Sequence, residues 1–192
     1  KPFWAFALAT AHEPYPIPDL AQLRLQVYSD LAYGAQGIQY FTYWTPEKNP
    51  TWDFHHAPVE RSSGRRTDVY DKIKQMNAEI RALSGVFLGC EVVSVRHTGE
   101  SIPRGTVRLT ELPDGVKKLE TTGAGAGVSE LRNGNNRFIV IVNRDFKNPM
   151  TLQIELDETA SRILKDGSVV PASIYHETMV VEPGDAMIYM FK

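Results

Sequence analysis

Apolar positions fall into two different rhythms along the chain, and the change occurs near residue 89. Before it, short continuous apolar runs alternate with stripes at helical spacing. The segment Trp4-Ala5-Phe6-Ala7-Leu8-Ala9-Thr10 has no polar edge, the pattern of a strand buried on both faces as in parallel sheets. A natural N-terminus rarely starts inside such a run, so the chain reads as one cut just before a strand. After a Pro-rich loop (residues 12–18), Asp19 offers an N-cap oxygen and Gln22 follows three residues later. This is a capping box, and Leu20, Leu23, Val27 and Leu31 then form one helical stripe that stops at Gly34. Residues 37–44, Gly-Ile-Gln-Tyr-Phe-Thr-Tyr-Trp, are mostly β-branched or aromatic and predict a second buried strand. Thr67 is placed to cap a second helix with its stripe at Val69, Ile73, Met76, Ile80 and Leu83, extended by Phe87.

From Cys90 onward the pattern is one of turns and short strands. Asp114-Gly115, Asn133-Gly134 and Asp166-Gly167 are hairpin dipeptides. They separate strand candidates at 90–97, 106–112, 138–143, 151–156, 168–174 and 186–191, enough for an antiparallel sandwich of about seven strands. The glycine-rich stretch at 123–127 lacks the Lys-Ser/Thr pair of a phosphate loop and reads as a loop or bulge. The expected fold class is therefore α/β plus all-β. In it the last two βα units of a (β/α)8 TIM barrel, residues 1–89, precede an antiparallel β-sandwich accessory domain, residues 90–192. Two βα units cannot close a barrel. The expected partners are thus a missing N-terminal barrel segment or a second copy paired through exposed strand edges.

Composition narrows the function classes. Over 192 residues the formal charge is −2, which gives no electrostatic footprint for nucleic acid or an anionic membrane. No apolar run approaches the roughly 20 residues of a membrane-spanning helix. The single cysteine, Cys90, forms no intramolecular disulfide and reads as an inert buried thiol. A Gly-x-Ser-x-Gly elbow is absent, which removes a serine hydrolase of that type, and nothing implies a cofactor.

Several of these pieces carry a resemblance. Lys1-Pro2-Phe3, then 34–41 (Gly-Ala-Gln-Gly-Ile-Gln-Tyr-Phe), then Gly64-Arg65-Arg66-Thr67 through Tyr70 and Asn77-Ala78-Glu79-Ile80, and finally 182–189 (Glu-Pro-Gly-Asp-Ala-Met-Ile-Tyr) resemble, in order, the C-terminal part of bacterial β-galactosidase-like (clan A type) glycoside hydrolases. The resemblance implies a carbohydrate substrate, an export compartment (periplasmic or extracellular), and a retaining mechanism with two carboxyl groups about 5 Å apart. It places the nucleophile at the end of the first strand. Here the sequence departs from the pattern, because Ala7 or Leu8 stands at that position. The nearest carboxylate is Glu13, in the following loop, which becomes the candidate catalytic residue.

Candidate substrate-binding residues follow from the same placement: His12 beside Glu13, Tyr43 and Trp44 at the end of the second strand, and Trp52 and Asp53 in the long 45–66 loop. Aromatics with a polar tip suit a sugar, whose apolar face stacks while its hydroxyls bond. Neighbouring strand residues point to opposite faces, so only one of Tyr43 and Trp44 can share a site with the others. Glu47 and Glu60 are further carboxylates of that loop. The adjacent His55-His56 pair lacks a chelating spacing, so no metal site is expected. Two functions remain open: an O-glycosyl hydrolase whose activity needs more than this chain, or a degenerate, non-catalytic glycan-binding protein.

Overall fold

The computed structural model describes residues 1–157, 159–173 and 175–192. Among them are three helices and eleven strands. β1 (Trp4–Leu8) leads into α1 (Leu20–Ala32) and β2 (Gly37–Phe41), and α2 (Asp68–Ala82) and α3 (Ser84–Phe87) follow. The remaining strands are β3 (Glu91–His97), β4 (Val116–Thr121), β5 (Ala126–Asn133), β6 (Asn136–Asn143), β7 (Met150–Leu156), β8 (Ser161–Ile163), β9 (Val169–Pro171), β10 (Glu177–Val181) and β11 (Ala186–Phe191).

The expected TIM-barrel portion is overturned. Only β1 and β2 pair in parallel, in a sheet of two strands, whereas the other nine strands form antiparallel sheets. The chain is dominated by strands and no barrel is closed. The misleading signal was the apolar run at 4–10. Its alternate residues Trp4 and Phe6 are 67% and 68% exposed, so the run is buried on one face only. The buried face carries Ala7 with Ile38 and Tyr40 of β2 and packs on the helices. A strand–helix–strand pattern dictates parallel pairing of its two strands, but it does not dictate how many strands the sheet contains.

The antiparallel strands make a six-stranded sheet, ordered β3-β5-β6-β11-β8-β9, and a three-stranded sheet, ordered β10-β7-β4. β6 shows how the layers are built. Side chains alternate across a strand, and both of its faces are buried. Phe138, Val140 and Val142 join a core with Leu23, Val27, Leu31 and Phe87 of the helices. Ile139 and Ile141 join a second core with Leu152, Ile154 and Leu156 of β7. The result is three layers, with helices on one face of the six-stranded sheet and the small sheet on the other.

α1 forms where the spacing predicts it, with both arms of its capping box in place: Asp19 Oδ1 accepts from Gln22 N at 2.7 Å and Gln22 Oε1 from Asp19 N at 2.9 Å. Thr67 sits at the N-cap of α2 but makes no side-chain cap. Its hydroxyl instead donates to the Ala57 carbonyl at 2.8 Å, fixing the long loop to the helix start. Other expectations shift as well. Residues 106–112 form no strand, only a bridge from Arg108 to His97. The second half of the glycine-rich stretch belongs to β5. Of the candidate strand at 168–174, Val169–Pro171 is a strand, and Ile174 lies outside the described residues.

A buried polar network fastens α1 to both neighbours. Glu79 of α2 accepts from Arg24 Nη2 at 2.6 Å, Tyr28 Oη at 2.7 Å and Gln75 Nε2 at 3.1 Å. Arg24 also lies 3.9 Å from Asp185, which is paired with Lys165. Gly184, at φ +68°, rests directly on the Ala21 carbonyl of α1, where any Cβ would collide.

Candidate functional site

The segment after β1 and the long 45–66 loop meet in a small antiparallel contact. Ala11 N donates to His55 O, and His55 N to Ala11 O, both at 3.0 Å. Below it, Ala9 N donates to Phe41 O at 2.7 Å and Thr42 N to the buried Thr10 Oγ1 at 2.8 Å. The ends of β1 and β2 are thereby held side by side, with the loop folded back over them.

This closure gathers aromatic side chains around His12. Its ring centroid lies 4.9 Å from Phe54, 5.0 Å from Tyr15, 5.6 Å from Trp52 and 6.4 Å from Phe41. Trp52 and Phe54 stack with an interplanar angle of 28°. Next to this cluster opens a cavity of about 550 Å3, within the usual size of a small-molecule site. It is lined by His12, Tyr15 and Phe41, by Phe6 and Leu8 of β1 and by Gln22 and Gln26 of α1. The side-chain oxygens of both glutamines are engaged: Gln22 Oε1 completes the helix cap, and Gln26 Oε1 accepts from Leu8 N at 2.7 Å. They fix the cavity wall, and the aromatic edges remain as its contact surface.

The candidate residues divide into two groups. Glu13, His12, Trp52 and Asp53 come together, with Glu13 N donating to Asp53 Oδ1 at 3.2 Å. Asp53 also approaches His55 Nδ1 at 3.9 Å. Tyr43 and Trp44 stand apart from them, packed edge-to-face at 5.6 Å on each other. Tyr43 faces a different cavity, beside Tyr40, Tyr70 and Asn77. Glu47 is exposed and paired with Arg61 at 3.1 Å. Phe41 and Phe54 belong to the cluster although nothing in their local sequence marks them. Phe54 differs from an ordinary loop residue only by its company, between Trp52 and the two histidines.

Electrostatically the site is mild. Glu13 and Asp53 are both exposed. Among the described residues, no three or more of His, Cys, Asp and Glu are arranged to hold a metal ion. Cys90, half-buried rather than buried, takes a long contact from Gln36 Nε2 at 3.9 Å. Burial raises its thiol pKa, which keeps it in the unreactive form.

No family model matches the sequence, and no curated protein matches it. Among solved structures, the chain is similar to the α-amylase of Geobacillus thermoleovorans determined in complex with acarbose, with a TM-score of 0.45 and 11% identity. The alignment covers 90% of this chain and 33% of the amylase, so the chain spans about a third of that enzyme's length. The likeness is a distant one to a glycoside hydrolase and lends no weight to β-galactosidases in particular.

Proposed function

We propose that the cluster around His12 is a carbohydrate-binding surface and that this chain binds the sugar without cleaving it. The observation that carries this reading is the convergence of Tyr15, Phe41, Trp52 and Phe54 on one histidine, beside a cavity of about 550 Å3. Stacked aromatics offer the flat apolar area that a pyranose ring covers, and the exposed carboxylates of Glu13 and Asp53 accept hydrogen bonds from its hydroxyls. Titration with a panel of neutral disaccharides, followed by tryptophan fluorescence, tests it. At least one sugar is expected to saturate the signal, with Trp52→Ala and His12→Ala each weakening binding about tenfold or more. Binding indifferent to both substitutions, or no binding across the panel, would overturn the reading.

One observation favours a hydrolytic second reading. The Glu13 backbone N–H donates to Asp53 Oδ1, which sets two carboxylate-bearing residues side by side near His12, and glycoside cleavage uses two carboxyl groups. In that case the chain would release nitrophenol from nitrophenyl glycosides, and Glu13→Gln would abolish the release while leaving sugar binding intact.

A further inference from the structure

Another cavity, about 350 Å3, lies further along α1, between that helix, the end of β3, β5 and the loop that follows β3, with Leu25 lining both. Its polar lining comes from Ser29, Tyr33, His97, Thr106 and Arg144, and the rest is apolar, including Leu25, Val95 and Val142. Arg144 is the only charged group in that lining. Its Nη2 donates to the carbonyls of Thr98 at 2.8 Å, Ser101 at 2.9 Å and Ala124. Among the described residues no carboxylate lies within 4 Å of it, and its Nε and Nη1 have no hydrogen-bond partner, Nε being buried. Arg108, held by the carbonyls of Gly99 and Glu100, adds positive charge nearby.

His97 repeats the pattern. It is 5% exposed, its Nε2 lies 2.9 Å from Tyr33 Oη, and its Nδ1 is buried without a partner. Burial, reinforced by Arg144, holds the imidazolium pKa below its ordinary value, so the ring is neutral at pH 7. The Tyr33 hydroxyl donates to Nε2 or Nε2–H donates to the hydroxyl oxygen, according to the ring tautomer. The corner therefore contains a buried imidazole nitrogen and a buried guanidinium N–H without partners, the latter on an arginine with no carboxylate within 4 Å among the described residues. A buried polar group left unpaired is costly, and such groups in native proteins call for a missing partner.

We propose that this cavity binds a small organic carboxylate. The carboxylate group meets Arg144 at its unused Nη1, with the Tyr33 and Ser29 hydroxyls beside it. The guanidinium of Arg144 contributes its positive field at the cavity wall, where a low dielectric strengthens it. The body of the ligand lies against Leu25, Val95 and Val142. This lining is too apolar, and carries too little positive charge, to favour a dianion such as phosphate.

Benzoate is a suitable test ligand, titrated into the full chain by calorimetry and by amide-resolved NMR. The expected result is saturable binding with shifts confined to Tyr33, His97, Gly127 and their neighbours, and at least tenfold weaker binding of the neutral benzyl alcohol. Ser29→Leu fills the cavity from a half-buried helical position whose side chain makes no hydrogen bond among the described residues, and leucine suits a helix. It should weaken benzoate at least tenfold with melting unchanged. Arg144→Gln should do the same if it folds. The proposal is overturned by absent saturation, by equal affinity for benzyl alcohol, by inorganic phosphate binding in place of benzoate, or by an unaffected Ser29→Leu.

Discussion

Glu79→Ala tests how α1 is held, and hence how both cavities keep their shape. The Glu79 side chain is nearly buried and accepts from Arg24, Tyr28 and Gln75. Truncation leaves the fully buried Tyr28 hydroxyl without its acceptor, and leaves Arg24 only Asp185 at 3.9 Å. Breaking one side of a buried pair costs about 3–5 kcal/mol, because the remaining charge stays desolvated and unpaired. For a chain of this size each kcal/mol lowers Tm by roughly 2–4 °C, so Glu79→Ala should melt about 6–20 °C below the parent. Glu79→Gln still accepts from Tyr28 but leaves Arg24 without its close counter-charge, so its cost should fall below that of Glu79→Ala without vanishing. Replacing Arg24 and Glu79 together by methionine should cost less than Glu79→Ala alone, since no charge of that pair is then stranded. The pH dependence follows from the carboxyl itself. Burial raises its pKa, but hydrogen bonds from Arg24 and Tyr28 outweigh burial, and the net shift is downward. A depressed folded pKa gives stability that is fully present above the unfolded value, about 4.3, and is lost as pH falls through the folded one. The gap between parent and Glu79→Gln should therefore narrow below about pH 4. Urea titrations at pH 7 and pH 3 measure it. A Glu79→Ala protein within 1 kcal/mol of the parent would refute the reasoning, as would a gap that widens on acidification.

Two further outcomes are expected. Phe138→Ala should destabilise by about 3 kcal/mol, because Phe138 is buried in the core between β6 and the helices; unchanged chemical denaturation would contradict that placement. Asp30, on α1, has its carboxyl pKa pushed up to about 6 by burial, with no cation within 4 Å among the described residues. An acid with a raised folded pKa costs stability as pH climbs from its unfolded value through the folded one. Asp30→Asn should accordingly raise Tm at pH 7 and leave it unchanged at pH 4, and equal effects at both would argue against it.

The helices were readable because their information is local. The Asp19–Gln22 box and the stripe from Leu20 to Leu31 name α1 almost to the residue. Strands whose pairing is non-local fared worse. β4 reads Val-Lys-Lys-Leu-Glu-Thr and bends at a register shift between Val116 and Lys118, which breaks the alternation a strand search depends on. Residues 106–112 alternate well yet find only a single bridge, since Val107 is exposed and its neighbours serve the end of β3. The barrel expectation failed for a related reason. A run such as Trp4 to Thr10 shows that a strand is apolar, but whether its second face is covered depends on elements elsewhere in the chain. At the candidate site, sequence proximity picked out Glu13, His12, Trp52 and Asp53. It could not reveal that Tyr43 and Trp44 turn away, nor that Phe41 joins the cluster across the β1–β2 pair.

α1 also gives the two proposed sites a common physical basis. Its N-terminal turns present Gln22 and Gln26 to the aromatic cavity, and its C-terminal turns present Ser29, Ala32 and Tyr33 to the second. Between these lie Arg24 and Tyr28, which anchor the helix through Glu79 and Asp185. The C-terminal end is tied separately, by Ser129 Oγ donating to Ala32 O at 2.7 Å. Weakening the Glu79 network thus frees the first half of the helix before the second. Where Glu79→Gln remains folded, sugar affinity at the His12 cluster should fall more than benzoate affinity beside His97. Equal losses at both would mean that α1 moves as one rigid rod, with Ser129 unable to hold its end independently.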